Sequence, residues 1–239
     1  NEQILESLIN DGYYVFRNWF SDESSKHLLE DISDAHSLLS DKSCGTFDDS
    51  ETKTVRIGGH FSQGTDIIIK PIAYRHFPSL LSVISNKDLN DILDCYYGPN
   101  SHKFMQTFST YEKYSVNDDL LGRHSWLHVD PYQSLKFAFF PLGATRESGC
   151  LRVIPNSNKE GKTIRQQFMS KNPKGLNGGI AHRMVDFKNH CPELVTRSED
   201  EVVYIECSNL DLVAIDTDTY HAGGAIEKDG LERLAVYIH

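Results

Sequence analysis

Six short runs rich in apolar and β-forming residues follow residue 100, and polar or turn-forming stretches separate them. They read KFMQTFSTYEKY, SLKFAFFPLG, GCLRVIP, EVVYIEC, LDLVAID and ERLAVYIH. Short apolar runs of this kind, bounded by turn signals and without alternating helices, are typical of a sandwich or barrel and not of an alternating βαβ sheet. The second part of the chain is therefore predicted to form a mainly β core.

The first hundred residues have a different pattern, in which apolar side chains recur at helical spacing. ILESLIN predicts a helix that ends near Gly12, the YYVF run that follows predicts a strand, and Ser21-Asp22-Glu23 is a start signal for a second helix. PSLLSVISNKDLNDILDCYYG predicts one or two more helices. The polar stretch 40–63 is predicted to be a mobile loop.

These patterns predict an α+β fold, mainly β with N-terminal helices, in a single domain over 1–239. Residues 1–100 would supply a helical support layer and the first strands, and residues 101–239 would form the core. The polar, glycine-containing stretch 158–191 is predicted to be an insertion in that core, and such insertions are often lids or binding loops.

Composition excludes several classes of partner. Asp and Glu outnumber Lys and Arg by 34 to 24 without a basic run, so a nucleic-acid partner is not expected. No apolar run approaches the roughly 20 residues that cross a bilayer, so no membrane association is expected. The 5 cysteines form no C-x-x-C pair, which disfavours a disulfide framework and indicates reduced thiols in the cytoplasm.

The segment HSWLHVDPYQ places two histidines and an aspartate within seven positions. On a strand, His128 and Asp130 project to the same face, while His124 lies roughly 13 Å from His128 along such a strand, too far to share one metal. A third ligand comes from LDLVAIDTDTYHAGG, where an apolar run ends and delivers His221. Two histidines and a carboxylate form the facial triad that suits Fe(II) because it leaves coordination positions open.

Arg233 lies twelve positions after His221 in ERLAVYIH. An arginine beside an open metal site can hold a carboxylate through a bidentate fork, so a dicarboxylic acid fits between the metal and Arg233. Without the upstream histidine, Arg233 would be interpreted as an exposed strand residue paired with a neighbouring glutamate.

The H-V-D triplet at 128–130, the block ESGCLRVIPNSNKEG at 147–161 and the His221–Arg233 pair resemble, in this order, the phytanoyl-CoA dioxygenase-like family of Fe(II)/2-oxoglutarate oxygenases. LINDGYYVFRNWFSDE resembles the N-terminal helix and strand of that family, so the similarity spans nearly the whole chain. Two positions depart from the family pattern. Pro155-Asn156-Ser157-Asn158 replaces P-G-S-H, and Gly223 replaces a small hydroxyl residue.

The resemblance implies a double-stranded β-helix, or jelly-roll, core with iron on His128, Asp130 and His221. It implies Arg233 as the partner of the distal carboxylate of 2-oxoglutarate, and Tyr111 is predicted to supply the hydrogen bond that Gly223 lacks. Gln106 cannot share a face with Tyr111 on a regular strand. The implied cofactors are Fe(II), 2-oxoglutarate and O2, with ascorbate as a possible stimulant.

The implied activity is the hydroxylation of a C–H bond in a small or medium polar metabolite, with decarboxylation of 2-oxoglutarate to succinate. The carboxylate of Asp130 favours hydroxylation over halogenation, because related halogenases carry a small residue in its place. Two alternatives stay open. One is a non-catalytic jelly-roll protein that senses a ligand, and the other is a cupin-like metalloenzyme that does not use 2-oxoglutarate and in which Arg233 is dispensable.

Overall fold

A computed structural model gives the structure of the chain, and it describes residues 2–37, 47–48, 54–57, 65–69, 71–102, 104, 107–113, 126–169 and 182–239. The helices are α1 (Glu2–Asn10), α2 (Asp22–Ser37), α3 (Pro78–Ile84), α4 (Lys87–Tyr97), α5 (Asn158–Ile164) and α6 (Met184–His190). The strands of the first half are β1 (Tyr13–Phe16), β2 (Phe47–Asp48), β3 (Thr54–Ile57), β4 (Thr65–Ile69) and β5 (Thr107–Lys113). Those of the second half are β6 (His128–Val129), β7 (Leu135–Phe139), β8 (Leu151–Val153), β9 (His182–Arg183), β10 (Val203–Ile205), β11 (Leu212–Asp216), β12 (His221–Gly223) and β13 (Glu232–Ile238).

The described strands form two antiparallel sheets. The larger has the order β1-β11-β7-β13-β5-β4-β3-β2, and the smaller has the order β10-β8-β12-β6-β9. Side chains from both sheets meet in one buried cluster, which includes Ala138, Val213 and Ala235 from the larger sheet and Leu151 and Val153 from the smaller. The two sheets therefore face each other across a common interior.

The period-2 alternation of β13 divides its side chains between two environments. Leu234, Val236 and Ile238 belong to the cluster that includes the helices, whereas Ala235 lies in the cluster between the two sheets. Arg233 shares the face of Ala235 by the same alternation, so β13 carries a charged residue into the interior of the barrel.

The N-terminal helices cover the outer face of the larger sheet. Leu8 of α1, Leu28 and Ile32 of α2 and Leu80 of α3 pack in the same buried cluster as the outward residues of β7 and β13. The amphipathic spacing that predicts these helices also supplies the apolar stripe that packs on the sheet. The predicted order of helices followed by a mainly β core is confirmed.

Two predictions about irregular segments need correction. Within the predicted loop 40–63, β2 and β3 pair with each other, and β3 pairs with β4 of the larger sheet. Within the predicted insertion 158–191, α5 is followed by a π-helix, Arg165–Met169, and β9 and α6 precede Cys191. β9 pairs with β6, so this segment adds a strand to the smaller sheet.

Among the described helices, none has the length and apolar character that crossing a bilayer requires.

Candidate metal centre and active site

The smaller sheet brings the two candidate histidines together. His128 begins β6, His221 begins β12, and the two residues are direct partners in the antiparallel pairing of these strands. Their ring centroids lie 4.5 Å apart. Asp130 follows β6, and one atom each from His128, Asp130 and His221 lies within 4.8 Å of the others. Residues separated by 91 positions therefore converge at one point.

Backbone carbonyls determine which ring nitrogen of each histidine faces this point. His128 Nδ1 lies 2.8 Å from the carbonyl oxygen of Trp126, and His221 Nδ1 lies 2.8 Å from that of Thr219. A carbonyl oxygen can only accept, so each Nδ1 donates, and in the neutral imidazole Nε2 then carries the lone pair. Such backbone anchoring is the usual arrangement of histidines that bind a metal.

The carboxylate of Asp130 has its two oxygens in different environments. Oδ1 lies 3.6 Å from Nε2 of His128 and 3.6 Å from Nε2 of His221. Oδ2 lies 2.8 Å from Nζ of Lys136 on β7. Two neutral imidazoles and one carboxylate oxygen are a donor set that fits Fe(II), because the triad occupies one face of the metal and leaves the other open.

Lys136 is a second charged group in this cluster. Its Nζ also lies 3.3 Å from Nε2 of His221, and its side chain is largely buried. Burial raises the pKa of Asp130, but Lys136 and the two imidazoles outweigh burial and hold this pKa well below its usual range. Burial, reinforced by Lys136, lowers the pKa of His221 to about 3. At neutral pH Asp130 is therefore ionised and His221 is neutral, which are the forms that bind a metal.

The turn before His221 is fully buried and held from two sides. The backbone N–H of Asp130 donates to the carbonyl of Thr217 at 3.1 Å. Asp218 receives a fork from Arg165, whose Nε and Nη2 lie 2.6 Å and 2.9 Å from the two carboxylate oxygens. Thr217 and Asp218 are both 0% exposed. This turn therefore connects the two halves of the triad through fixed contacts.

Gly161 on α5 allows the helix to approach this turn. A Cβ at position 161 would lie 1.8 Å from the carbonyl oxygen of Asp218 and 2.8 Å from Cγ1 of Val129, the residue between His128 and Asp130. Only a residue without a side chain permits this approach. The last residue of the block ESGCLRVIPNSNKEG therefore has a packing role at the triad.

Arg233 lies at the opposite end of the interior from Lys136. The residue is 3% exposed, and Nη1 donates to the carbonyl oxygens of Gly149 at 2.7 Å and Gly224 at 2.6 Å. Nη2 forms a hydrogen-bonded ion pair with Glu112. Nε has no hydrogen-bond partner among the described residues. Arg233 lies inside the barrel, and its charge is already balanced by a carboxylate.

The absence of a side chain at Gly223 allows the guanidinium of Arg233 to approach the backbone of β12. A Cβ at position 223 would lie 2.8 Å from Nη1 of Arg233. The guanidinium therefore packs directly on the backbone two residues after His221. The departure from the family pattern at Gly223 leaves room for the position that Arg233 adopts here.

The structure does not bring Tyr111 to the site. Tyr111 is paired with Leu234 and packs against the helix-side cluster, whereas Glu112 is paired with Arg233. Direct partners in an antiparallel pair point to the same face, so Tyr111 points away from the interior. Its hydroxyl donates to Glu232 on the outer face. Tyr111 is therefore removed from the candidate 2-oxoglutarate contacts, and His124 and Gln106 lie outside the described residues.

The sequence analysis missed Lys136 and Glu112. A lysine within the apolar run SLKFAFF was a usable signal, because alternation places Lys136 on the same face as Ala138. Glu112 had no comparable signal, since its position opposite Arg233 depends on the register of β5 and β13.

The chain matches one family over most of its length. The sequence model of the phytanoyl-CoA dioxygenase (PhyH) family matches residues 9–233. The chain belongs to the PhyH family. Membership places this PhyH protein among the 2-oxoglutarate-dependent oxygenases, as the resemblance implied. No curated protein matches the chain.

Solved structures of low sequence identity share the fold of this PhyH protein. The carbocyclase SnoK from nogalamycin biosynthesis has 14% identity and a TM-score of 0.67, covering 100% of this chain and 83% of SnoK. HygX from Streptomyces hygroscopicus, solved with nickel and 2-oxoglutarate, has 11% identity and a TM-score of 0.60, covering 100% and 85%. The epimerase SnoN, solved with Fe3+, alpha ketoglutarate and a nogalamycin compound, has 12% identity and a TM-score of 0.60, covering 99% and 81%. These similarities support the predicted jelly-roll core.

Proposed function

We propose that this PhyH protein is an Fe(II)- and 2-oxoglutarate-dependent dioxygenase that hydroxylates a C–H bond of a small or medium polar metabolite. One oxygen atom of O2 enters the product, and the other enters succinate as 2-oxoglutarate loses CO2. The observation that carries the proposal is the convergence of His128 Nε2, Asp130 Oδ1 and His221 Nε2, with both Nδ1 atoms anchored on backbone carbonyls.

Each residue has a role in this proposal. His128, Asp130 and His221 would hold the iron, and Arg233 would bind the distal carboxylate of 2-oxoglutarate. Bound iron supplies the redox chemistry that activates O2, while the protein binds and orients the reactants. The buried turn at Thr217 and Asp218 keeps the ligand atoms in place.

Hydroxylation is the outcome favoured by the complete triad. Asp130 occupies the position that a halogenase would leave to a halide, so oxygen transfer is preferred. Among the structures that share this fold, SnoN is an epimerase and SnoK is a carbocyclase. An oxidation that ends in a changed stereocentre or a new ring is therefore the competing outcome, and the mass of the product separates the cases, since only hydroxylation adds an oxygen atom.

The test begins with binding. Calorimetry with Mn(II) and 2-oxoglutarate should show metal-dependent binding of the co-substrate, and His128→Ala should abolish it. His27→Gln, which changes an exposed histidine on α2, is the matched control. Arg233→Gln, combined with Glu112→Gln so that no buried charge is left unpaired, should bind metal but lose 2-oxoglutarate. A chain that binds neither metal nor 2-oxoglutarate, and that releases no succinate with Fe(II), O2 and ascorbate, contradicts the proposal.

One observation favours a second candidate, the cupin-like metalloenzyme that does not use 2-oxoglutarate. The Glu112–Arg233 pair satisfies the charge that the co-substrate would neutralise. In this candidate Arg233 is structural, and metal binds without any effect on 2-oxoglutarate affinity. The non-catalytic sensor is distinguished by ligand binding that consumes no O2.

The proposed setting is the cytoplasm. Cys95, Cys150, Cys191 and Cys207 are free thiols, which suits a reducing compartment. The proposed partner is a small-molecule substrate.

A further inference from the structure

The barrel interior has two ends. The metal end holds the triad and Lys136, and the closed end holds Arg233 and Glu112. His221 begins β12 beside Lys136, and Gly223 and Gly224 near the end of the same strand contact Arg233. β13 runs from Arg233 back along the barrel, and its last pairing, Ile238 with Phe137, is next to Lys136. Lys136 and Arg233 are therefore separated along the barrel, with the triad nearer to Lys136.

If 2-oxoglutarate bridges the metal and Arg233, as the proposed function requires, it occupies the space between the triad and the closed end. Lys136 then lies on the other side of the triad, which is the side left for the primary substrate. Its Nζ lies 5.6 Å from the ring centroid of Tyr237, which faces the same interior. The Lys136 ammonium therefore lies beside an aromatic ring in the interior and is not a solvated surface group.

The local charges differ between the two ends. At the closed end, Glu112 balances Arg233 before any ligand binds. At the metal end, Asp130 and Lys136 balance each other, so the protein contributes no net charge to offset a divalent cation. The chelating carboxylate of 2-oxoglutarate offsets one of the two positive charges of the metal. The distal carboxylate would lie at the closed end, so one positive charge of the metal would not be offset at the metal end itself, where it would attract an anion.

We propose that Lys136 binds an anionic group, a carboxylate or a phosphate, on the primary substrate of this protein. The inference rests on the proposed function and specifies the class of substrate. Because the Nζ of Lys136 lies within hydrogen-bond distance of two candidate metal ligands, the anionic group binds close to the metal. The oxidised C–H bond is therefore only a few bonds from the anionic group. Because the Nε2 lone pair of His221 would be used by the metal, Lys136 would give up its contact with that atom. It would keep its contact with the Oδ2 of Asp130 and present its remaining donors to the substrate.

The experiment uses the full chain loaded with Co(II) and 2-oxoglutarate, whose binding is measured first. Acetate, phosphate and the neutral isostere acetamide are then titrated separately, and the cobalt d–d absorption and calorimetry report binding. We expect saturable binding of acetate or phosphate and none of acetamide. Whichever anion binds more tightly identifies the carboxylate or the phosphate as the substrate group.

Variants locate the anion. Lys136→Gln should weaken anion binding by about tenfold or more, which is the loss of one charge-assisted hydrogen bond in a buried site. The same variant should tighten binding of the metal alone, because a neighbouring positive charge is removed. Lys136→Arg should retain the anion, and Lys26→Gln, an exposed lysine on α2, should behave as the wild type.

Three results overturn the proposal. One is a loaded wild-type protein that binds neither anion, the second is equal affinity for acetate and acetamide, and the third is unchanged anion affinity in Lys136→Gln. The acetamide comparison needs no variant, so it holds even if Lys136→Gln does not fold. A chain that fails to bind Co(II) and 2-oxoglutarate overturns the proposed function, and the anion site with it. Normal loading without anion binding overturns the anion site alone.

Discussion

Glu112 and Arg233 form a buried ion pair at the closed end of the barrel, where the two residues lie directly opposite each other on β5 and β13. In the proposed function, this carboxylate would compete with the distal carboxylate of 2-oxoglutarate for one guanidinium. The Nε of Arg233 has no hydrogen-bond partner among the described residues, so it would be a donor for the co-substrate in the proposed function.

Glu112→Gln should therefore tighten 2-oxoglutarate binding by about tenfold, because like-charge repulsion is removed and a hydrogen-bonding side chain remains. Calorimetry with Mn(II)-loaded protein measures the change. Glu232→Gln, on the outer face beside Tyr111, is the matched control and should leave the affinity unchanged. Weaker binding in Glu112→Gln would show that Glu112 positions Arg233 for the co-substrate.

Asp130 and Lys136 should be strongly coupled in the metal-free protein. Asp130→Ala leaves the Lys136 ammonium buried without a counter-charge, which should lower the free energy of unfolding by about 3 kcal/mol. Lys136→Met in the same chain should restore most of that loss, because both charges are then absent. Urea denaturation of the two single variants and the double variant gives the coupling free energy. Additive losses would contradict the ion pair.

Gly161→Ala should displace α5 from the turn before His221. The new methyl group would overlap the Asp218 carbonyl, and overpacking of this kind costs about 1–3 kcal/mol. We expect a lower free energy of unfolding together with weaker metal binding, because the turn and Val129 both adjoin triad ligands. Lys162→Ala, at the next and exposed position of the same helix, is the control. Loss of stability with unchanged metal affinity would mean that the triad does not depend on this contact.

The stability of the metal-free protein should fall as the pH is lowered from neutrality. The unfolded His221 takes up a proton below its ordinary pKa of 6.5, whereas the folded imidazole does so only near its pKa of about 3. The unfolded state therefore binds more protons in this window, and stability decreases by about 1.4 kcal/mol per pH unit for this group. Asp130 acts at lower pH, since the stability from its lowered pKa is complete above the ordinary carboxyl value of 3.8 and is lost as the pH falls from there toward the folded pKa.

Chemical denaturation between about pH 7 and pH 5 measures this slope. His221→Gln should reduce it by about one proton, and the exposed His27→Gln should not. An unchanged slope in His221→Gln would show that the folded imidazole titrates near its ordinary pKa.

Local patterns in the sequence were enough to predict the order of elements and the candidate triad. The helical spacing of Leu28 and Ile32 and the short β-rich runs depend on burial of one face, which a sequence displays directly. The spacing of His128 and Asp130 on one strand face was equally local. His221 and Arg233 were found because they belong to the same ordered pattern.

The tertiary structure decided which charges face each other. Whether Tyr111 or Glu112 points at Arg233 depends on the register of β5 against β13, and a shift of one residue reverses every side chain on the strand. That register results from packing against the helices, which involves residues far apart in sequence. The pairing of Lys136 with Asp130 likewise exists only because two sheets face each other, so the electrostatics of the interior belong to the fold, while the sequence by itself determined the elements and the triad.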